Sequence, residues 1–457
     1  MTSPSILVRR HVRLVVPLML FALVVGACDS SASQGGAASG SPVASPAGAP
    51  PDHVGPSGAA SPAPAASPSP PVSPDPPAEG TLPSTAPSAA APPAASPVGP
   101  SGSPAGPRLP FEFAAKGLRG EVMAFVTTSQ VDDALARLDF ASVSTIAFFS
   151  LEAASSGAIR HDGRWRIWTG KLVDRLIARA HESRTKVVIS LARFSWSAGQ
   201  TETSSKLLAS SAARSRLARE VADEVVRRGV DGVNVDFEPI PRGQKAGFTD
   251  LVRRIRSELD ARGPGYQLTF DVVGHFESYD VAGALKPGGA HAVYLMGYHF
   301  AGTFSTAAHG TAPLEGPHYA VGDAIRLLRK VARPEQIIVG VPFYGHLWPT
   351  KTGALGARTT GRGFDVTYAT ARTLAAAHTT SYDPAEKVRR AAWQERSCAS
   401  CAPHWVQLYF DDARSLGEKW AEFRRQELLG TGIWTSAFEG PSGDLTKALR
   451  DAWLVGA

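Results

Sequence analysis

The stretch GVDGVNVDFEPIP, residues 229–241, decides how the chain is read. Asn234, Asp236 and Glu238 fall at every second position, separated by Val235 and Phe237. Successive side chains of a β-strand point to opposite faces, so the three polar groups share one face and Val233, Val235 and Phe237 the other. In a closed barrel of parallel strands one face looks inward and the other lies under helices. A row of inward carboxylates is costly to bury and has few structural uses. The row ends on Glu238, at the carboxyl end of the strand, where barrel enzymes place their chemistry.

The segments around this stretch support a barrel. Short apolar runs begin at Glu121 (EVMAFVT), Val143 (VSTIAFFS), Lys186 (KVVISLA), Gln267 (QLTFDVVG), Ala292 (AVYLMGYH), Gln336 (QIIVGVPFYG) and Gly432 (GIWTSAF). With the opening stretch they make eight strand candidates. Helical patterns lie between most of them. Leu217, Val221 and Val225 recur at four-residue spacing before Gly229. Phe248, Leu251, Val252, Ile255 and Leu259 form a second stripe that also ends at a glycine. Buried strands alternating with amphipathic helices imply parallel pairing with right-handed crossovers. No glycine-rich phosphate loop follows the first strand, which argues against a nucleotide-binding sheet. The expected fold is therefore α/β, a (β/α)8 barrel. A small insertion is expected at about 348–406, between the seventh and eighth strands, because that segment is long for a loop and breaks the alternation.

The first 28 residues read as an export signal. Arg9, Arg10 and Arg13 precede the apolar LVVPLMLFALVVGA, which is short for a membrane span. VGAC resembles a bacterial lipobox, which makes Cys28 the expected lipidation site and implies an exported chain anchored to the outer side of the cell membrane. Residues 29–107 are nearly all Ala, Pro, Ser and Gly and hold too few large apolar side chains to offset ordering. Such Pro-rich chain is stiff, about 3.1 Å per residue, so a disordered tether reaching on the order of 200 Å is expected. The barrel then occupies 108–457. The formal net charge of +6 suits a solvated Arg-rich face, and no basic cluster interleaved with aromatics argues for nucleic acid.

At this point the residues resemble a family. GVNVDFE with Asp231 before it resembles the active-site strand of glycoside hydrolase family 18, the chitinase family, whose pattern is D-x-x-D-x-D-x-E. Asp231, Asp236 and Glu238 match, and Asn234 stands in place of the middle aspartate. MGYH (296–299) resembles M-x-Y-D, with Tyr298 matching and His299 replacing the aspartate. VGVPFYGHLW (339–348), which contains Tyr344, resembles G-V-P-x-Y-G-R, and YFDDARSLGEKW (409–420) resembles Y-D-D-x-x-S-x-x-x-K. GIWTSAFEG carries Trp434 where the family places a tryptophan beneath the bound sugar. ISLARFSW (189–196) is the weakest match, with Ala192 and Arg193 in place of two glycines. The GVN-hydrophobic-DFE form is similar to the wall and spore peptidoglycan hydrolases of the family.

The resemblance implies substrate-assisted retaining hydrolysis of β-1,4-linked N-acetylglucosamine polymers, with no cofactor and no metal. Glu238 would be the acid and base, Asp236 would hold the acetamide N–H, and Tyr298 would aim the acetamide carbonyl. Trp434, Asn234, Asp231, His299 and Tyr344 would line the substrate site. An asparagine at 234 is expected to keep Asp236 ionised. His299 reads either as a rim residue or as a group titrating near pH 6.5. A carbohydrate-binding barrel without turnover remains the other reading, although Glu238 favours the enzyme. A monomer is expected. Of the tryptophans, Trp196 and Trp348 are the candidate sugar platforms. Cys398 and Cys401 lack the two further ligands that zinc would need, with only His404 near, and in an exported chain a local disulfide is expected.

Overall fold

The structure, a computed structural model, describes residues 117–456. Cys28 and the Pro-rich segment lie outside the described residues. No helix among the described residues is long and apolar enough to cross a membrane.

Seven of the runs become β1 (Glu121–Thr127), β2 (Thr145–Glu152), β3 (Lys186–Phe194), β4 (Gly232–Glu238), β5 (Gln267–Val272), β6 (Ala292–Leu295) and β7 (Ile337–Pro342). The chain then leaves to build β8 (Tyr344–Thr350), β9 (Phe364–Thr367), β10 (Thr380–Asp383), β11 (Val388–Glu395) and β12 (His404–Phe410), and returns as β13 (Gly430–Trp434). Strands β1 to β7 and β13 close a barrel in the order β1-β13-β7-β6-β5-β4-β3-β2, and every pairing around it is parallel.

The helical stripes do what their spacing predicts. The helix Ser211–Arg228 starts at Ser210, whose side chain accepts from the Ala213 N–H, and buries Leu217, Val221 and Val225. The helix Lys245–Arg262 buries Phe248, Leu251, Val252, Ile255 and Leu259. Phe248 packs 6.1 Å from Phe237 and 5.9 Å from Phe270, ring centre to ring centre. The apolar face of β4 is thus sealed under its helix, which leaves the polar face to the barrel interior. Gly232 opens β4 with φ +153, and a Cβ there would lie 2.0 Å from the Gln267 carbonyl oxygen, so the close approach of β4 and β5 admits only glycine. Higher in the barrel Tyr294 of β6 fills the axis. A Cβ on Gly340 would lie 2.2 Å from its hydroxyl, so the ring occupies space that glycine leaves free.

Two boundaries differ from the sequence reading. The seventh run, QIIVGVPFYG, is two strands: β7 stops at Pro342 and the chain turns out of the barrel at Phe343. Both strands are buried, so apolar content continues across the turn and hides it. The insertion is accordingly wider than 348–406. Its five-stranded antiparallel sheet, order β10-β11-β12-β8-β9, runs from Tyr344 to Phe410. Glu386 fastens this sheet to the segment after β6, accepting from the Gly310 N–H at 2.7 Å while its own carbonyl accepts from the Leu314 N–H. Cys398 and Cys401 are disulfide-bonded across the β11–β12 turn, with Cα atoms 5.0 Å apart.

Candidate active site

The register of the barrel explains how β4 presents its row. Asn234 pairs with Ser190 of β3 and Thr269 of β5, and Asp236 pairs with Ala192 of β3. Ala192 leaves room beside Asp236 that a larger side chain would fill. The Glu238 carbonyl accepts from the Ser195 N–H at 2.7 Å, and the Phe237 carbonyl accepts from the Tyr279 hydroxyl at 2.7 Å, so the strand end is held on both sides.

Asp236 is buried, and Glu238, half-buried, lies at the mouth. The two carboxyls lie two positions apart on the inward face, and each bears on the other's hold on its proton. Burial raises Glu238 well above the usual carboxylate range, and the negative charges of Asp236 and Asp271 raise it further. Burial pushes Asp236 up to about 7 against the opposing effect of the Glu238 hydrogen bond. The pair titrates as a unit, and its singly protonated form is a poised acid beside a carboxylate. Asp236 Oδ1 is buried without a protein partner, so an acceptor is left available to a ligand.

Tyr298 follows β6 and is buried with its ring centre 6.3 Å from that of Trp434 and 6.3 Å from that of Tyr344. Burial, then the neighbouring Tyr294, Asp271 and Tyr344, hold its phenol well above the usual range, so it stays a donor. Trp434, at the end of β13, stands edge-on to Phe149 at 4.8 Å and 5.4 Å from Phe125, which fixes its plane. The Tyr344 hydroxyl is buried. The structure therefore brings together Asp236, Glu238, Tyr298, Tyr344 and Trp434, from four parts of the sequence.

Other expected site residues lie elsewhere or act differently. Asp231 precedes β4, at the opposite, N-terminal end of the barrel, where its carboxylate accepts from the Val187 N–H at 2.7 Å and meets His181 Nε2 at 2.8 Å. It is a brace between β3 and β4, far along the strand from the mouth. Asn234 is fully buried and its amide is spent on protein: the carbonyl accepts from Ser190 Oγ, and Nδ2 donates to Thr269 Oγ1 at 3.0 Å and Asp271 Oδ1 at 2.6 Å. Both its N–H groups are spent on β5 and its oxygen is engaged by β3, so its hydrogen bonds run across the barrel wall and not along β4. Lys186, at the start of β3, falls on the same inward row as Ser190, but at the barrel's other end.

His299 keeps solvent contact on the cleft and has φ +64. The crowding of the cleft walls and the neighbouring His346 lower its pKa from the ordinary histidine value. His346 is buried beside it, ring centres 6.4 Å apart, with Nε2 2.9 Å from Asp365 Oδ1. Trp348 is fully buried and donates to the Gly302 carbonyl, so it is no sugar platform, whereas Trp196 is 57% exposed.

The residue that sequence reading missed is Asp271. It sits on β5 within the apolar run QLTFDVVG, is buried, and is raised well above the usual range by burial and by Asp236. The signal was there: Gln267, Thr269 and Asp271 alternate with Leu268, Phe270 and Val272, the same period that marks β4.

Comparison with known proteins agrees with this geometry. Residues 121–438 match the model of glycosyl hydrolases family 18. A probable chitinase 2 of Drosophila melanogaster is 26% identical over 281 residues, 55% of this chain and 56% of that protein. A putative sporulation-specific glycosylase of Bacillus subtilis is 25% identical over 246 residues, 51% of this chain and 53% of that protein. The chain thus spans about half the length of these curated relatives. A GH18 chitinase of Cycas revoluta, solved in complex with (GlcNAc)3, superposes with a TM-score of 0.63 at 18% identity, covering 73% of this chain and 99% of that one; this likeness is one of fold. Barrel, carboxylate row and family match agree, and the chain belongs to glycosyl hydrolase family 18.

Proposed function

We propose that the protein hydrolyses β-1,4 linkages of N-acetylglucosamine-containing polymers by substrate-assisted retaining catalysis. The observation that carries this reading is the Asp236–Glu238 pair: two carboxyls on one inward face, a glutamate at the mouth whose pKa is raised by burial and by its neighbours' charge, and a buried aspartate oxygen without a protein partner. Only one carboxyl is placed as an acid at the mouth, so the second group a retaining mechanism needs is assigned to the substrate. The acetamide carbonyl oxygen of the −1 sugar attacks its own anomeric carbon as the glycosidic C–O bond breaks. Glu238 gives its proton to the leaving oxygen. The acetamide N–H donates to Asp236, whose negative charge balances the oxazolinium ion that forms. Tyr298 donates to the acetamide carbonyl and aims it, and Trp434 is the floor. Water then adds to the anomeric carbon, losing a proton to Glu238, and the ring opens with net retention.

Chitin and peptidoglycan glycan both present this unit. The Asn234 form of the motif and the likeness to the sporulation glycosylase support glycan strands of peptidoglycan as the polymer. Product analysis on both polymers tests this: new reducing ends on N-acetylglucosamine are expected, and none from either polymer would remove the hydrolase reading. A thiazoline analogue of the intermediate gathers the Asp236 and Tyr298 contacts at once and should bind more tightly than the parent sugar. Tyr298→Phe should weaken the analogue more than the sugar in calorimetric titration. Equal affinity for both ligands, with no turnover, would instead describe a binding protein.

A further inference from the structure

The inward row of β4 has a neighbour that the reaction above does not use. The register pairs Asn234 with Thr269 and Val235 with Phe270. One residue further along, the same register sets Asp271 beside Asp236, opposite the side where Ala192 stands. Two carboxyls at one level of a barrel interior are costly, because like charges facing each other across strands repel. The bond that holds Asp271 is short: Asn234 Nδ2 lies 2.6 Å from its Oδ1. Asn234 is itself immobilised by Ser190 and Thr269, so the amide delivers Asp271 to a fixed point.

We propose that Asp271 is a positioning residue of the reaction, held by Asn234 as one carboxyl–amide unit beside Asp236, where it sets the charge balance of the Asp236–Glu238 pair. The third carboxyl of the site is thereby supplied by β5, and β4 supplies the amide at position 234. This role rests on the hydrolytic reading of the site.

The unit acts through charge. Asp271 feels Asp236 and is felt by Glu238 on β4, by Tyr294 of β6, by Tyr298 beyond it and by Tyr279 after β5. Each of these interactions opposes a further negative charge. The effect that matters for turnover is on Glu238, which must still hold its proton when the substrate arrives. Once Asp271 ionises, its charge is one of the causes that raise Glu238, so without it the acid is lost at a lower pH. A brace that merely satisfied the Asn234 amide would leave that pH dependence alone, since asparagine at 271 offers the same acceptor oxygen.

The test is an exchange followed by pH–rate profiles on a soluble N-acetylglucosamine oligomer. Asp271→Asn should move the alkaline limb of kcat to lower pH by roughly one unit, which is about tenfold in rate above the limb, with KM little changed. Asn234→Asp alone crowds another carboxyl into the site and should be the less active single variant. The double exchange, Asn234→Asp with Asp271→Asn, restores one acid and one amide, and should recover most of the rate and the position of the limb. Thermal unfolding at pH 5 and pH 8 reports whether each variant is folded at the pH assayed. An active protein whose folded Asp271→Asn variant keeps the unsubstituted profile, or whose double exchange is no better than the two singles multiplied, would overturn this role alone. An unsubstituted protein that cleaves no oligomer would overturn the hydrolytic reading, and this role with it.

Discussion

Glu238→Gln lowers kcat on an N-acetylglucosamine oligomer by about 10²–10⁴-fold, the usual worth of a positioned proton donor, while saccharide binding persists. Glutamine has the shape of the acid and can donate a hydrogen bond, but it has no proton to give to a leaving oxygen. The effect should fall on kcat, because the proton is needed only as the bond breaks. The same substitution should stabilise the fold at alkaline pH. The folded-state pKa of Glu238 is raised. Its contribution to stability is therefore present below the unfolded value and is lost as pH rises through the folded one. Glutamine does not titrate, so the variant escapes that loss. Steady-state kinetics, binding by calorimetry and unfolding at pH 5 and pH 8 check the three parts. An active variant, or a folded one that no longer binds sugar, would contradict the role given to Glu238.

Asp236→Asn is expected to cost about 10²–10³-fold in kcat, the scale seen when one preorganised electrostatic group is removed from a water-poor site. The carboxylate is asked to face a cation that exists only after the acetamide has attacked. An amide keeps the volume and one acceptor oxygen, so the ground-state sugar still fits, but no charge opposes the oxazolinium ion. The thiazoline analogue should lose more affinity than the parent sugar. The pH profile should change as well. Asp236 is pushed up to about 7, so in the unsubstituted protein the acid limb reports the pair gaining its second proton. With asparagine that limb should disappear or move away. A variant with the original limb and rate would show that Asp236 plays no part in charge balance.

Much of this site was legible along single strands and little of it was legible between them. Period-two alternation placed Asp236 and Glu238 on the inward face and sealed Val233, Val235 and Phe237 under the helix that carries Phe248. Alternation fixes a face but names no partner. Asn234 was therefore assigned to Asp236, its neighbour on the strand, whereas its amide reaches across to Ser190, Thr269 and Asp271. Asp231 matched the motif and so joined the site on paper, yet the rise of the strand carries it to the opposite end of the barrel, where it braces Val187 and His181. The turn at Phe343 carried no polar or glycine signal strong enough to divide QIIVGVPFYG, because the strands on both sides are buried. His299 was left open between a rim residue and a titrating group, and it is exposed on the cleft, with His346, forty-seven positions along the chain, beside it. Cys398 and Cys401, close in sequence, needed no long-range information, and their bond was expected.

The central claim is a double displacement in which the substrate's own acetamide attacks first, and the configuration of the first product reports whether one displacement or two occur at the anomeric carbon. Proton NMR followed from the start of hydrolysis of an N-acetylglucosamine oligomer, before mutarotation, distinguishes the two anomers of the new reducing end. Two successive displacements at one carbon, first by the acetamide and then by water, return the β-anomer, and that is the result this mechanism predicts. An initial excess of the α-anomer would mean a single displacement by water, and would contradict it.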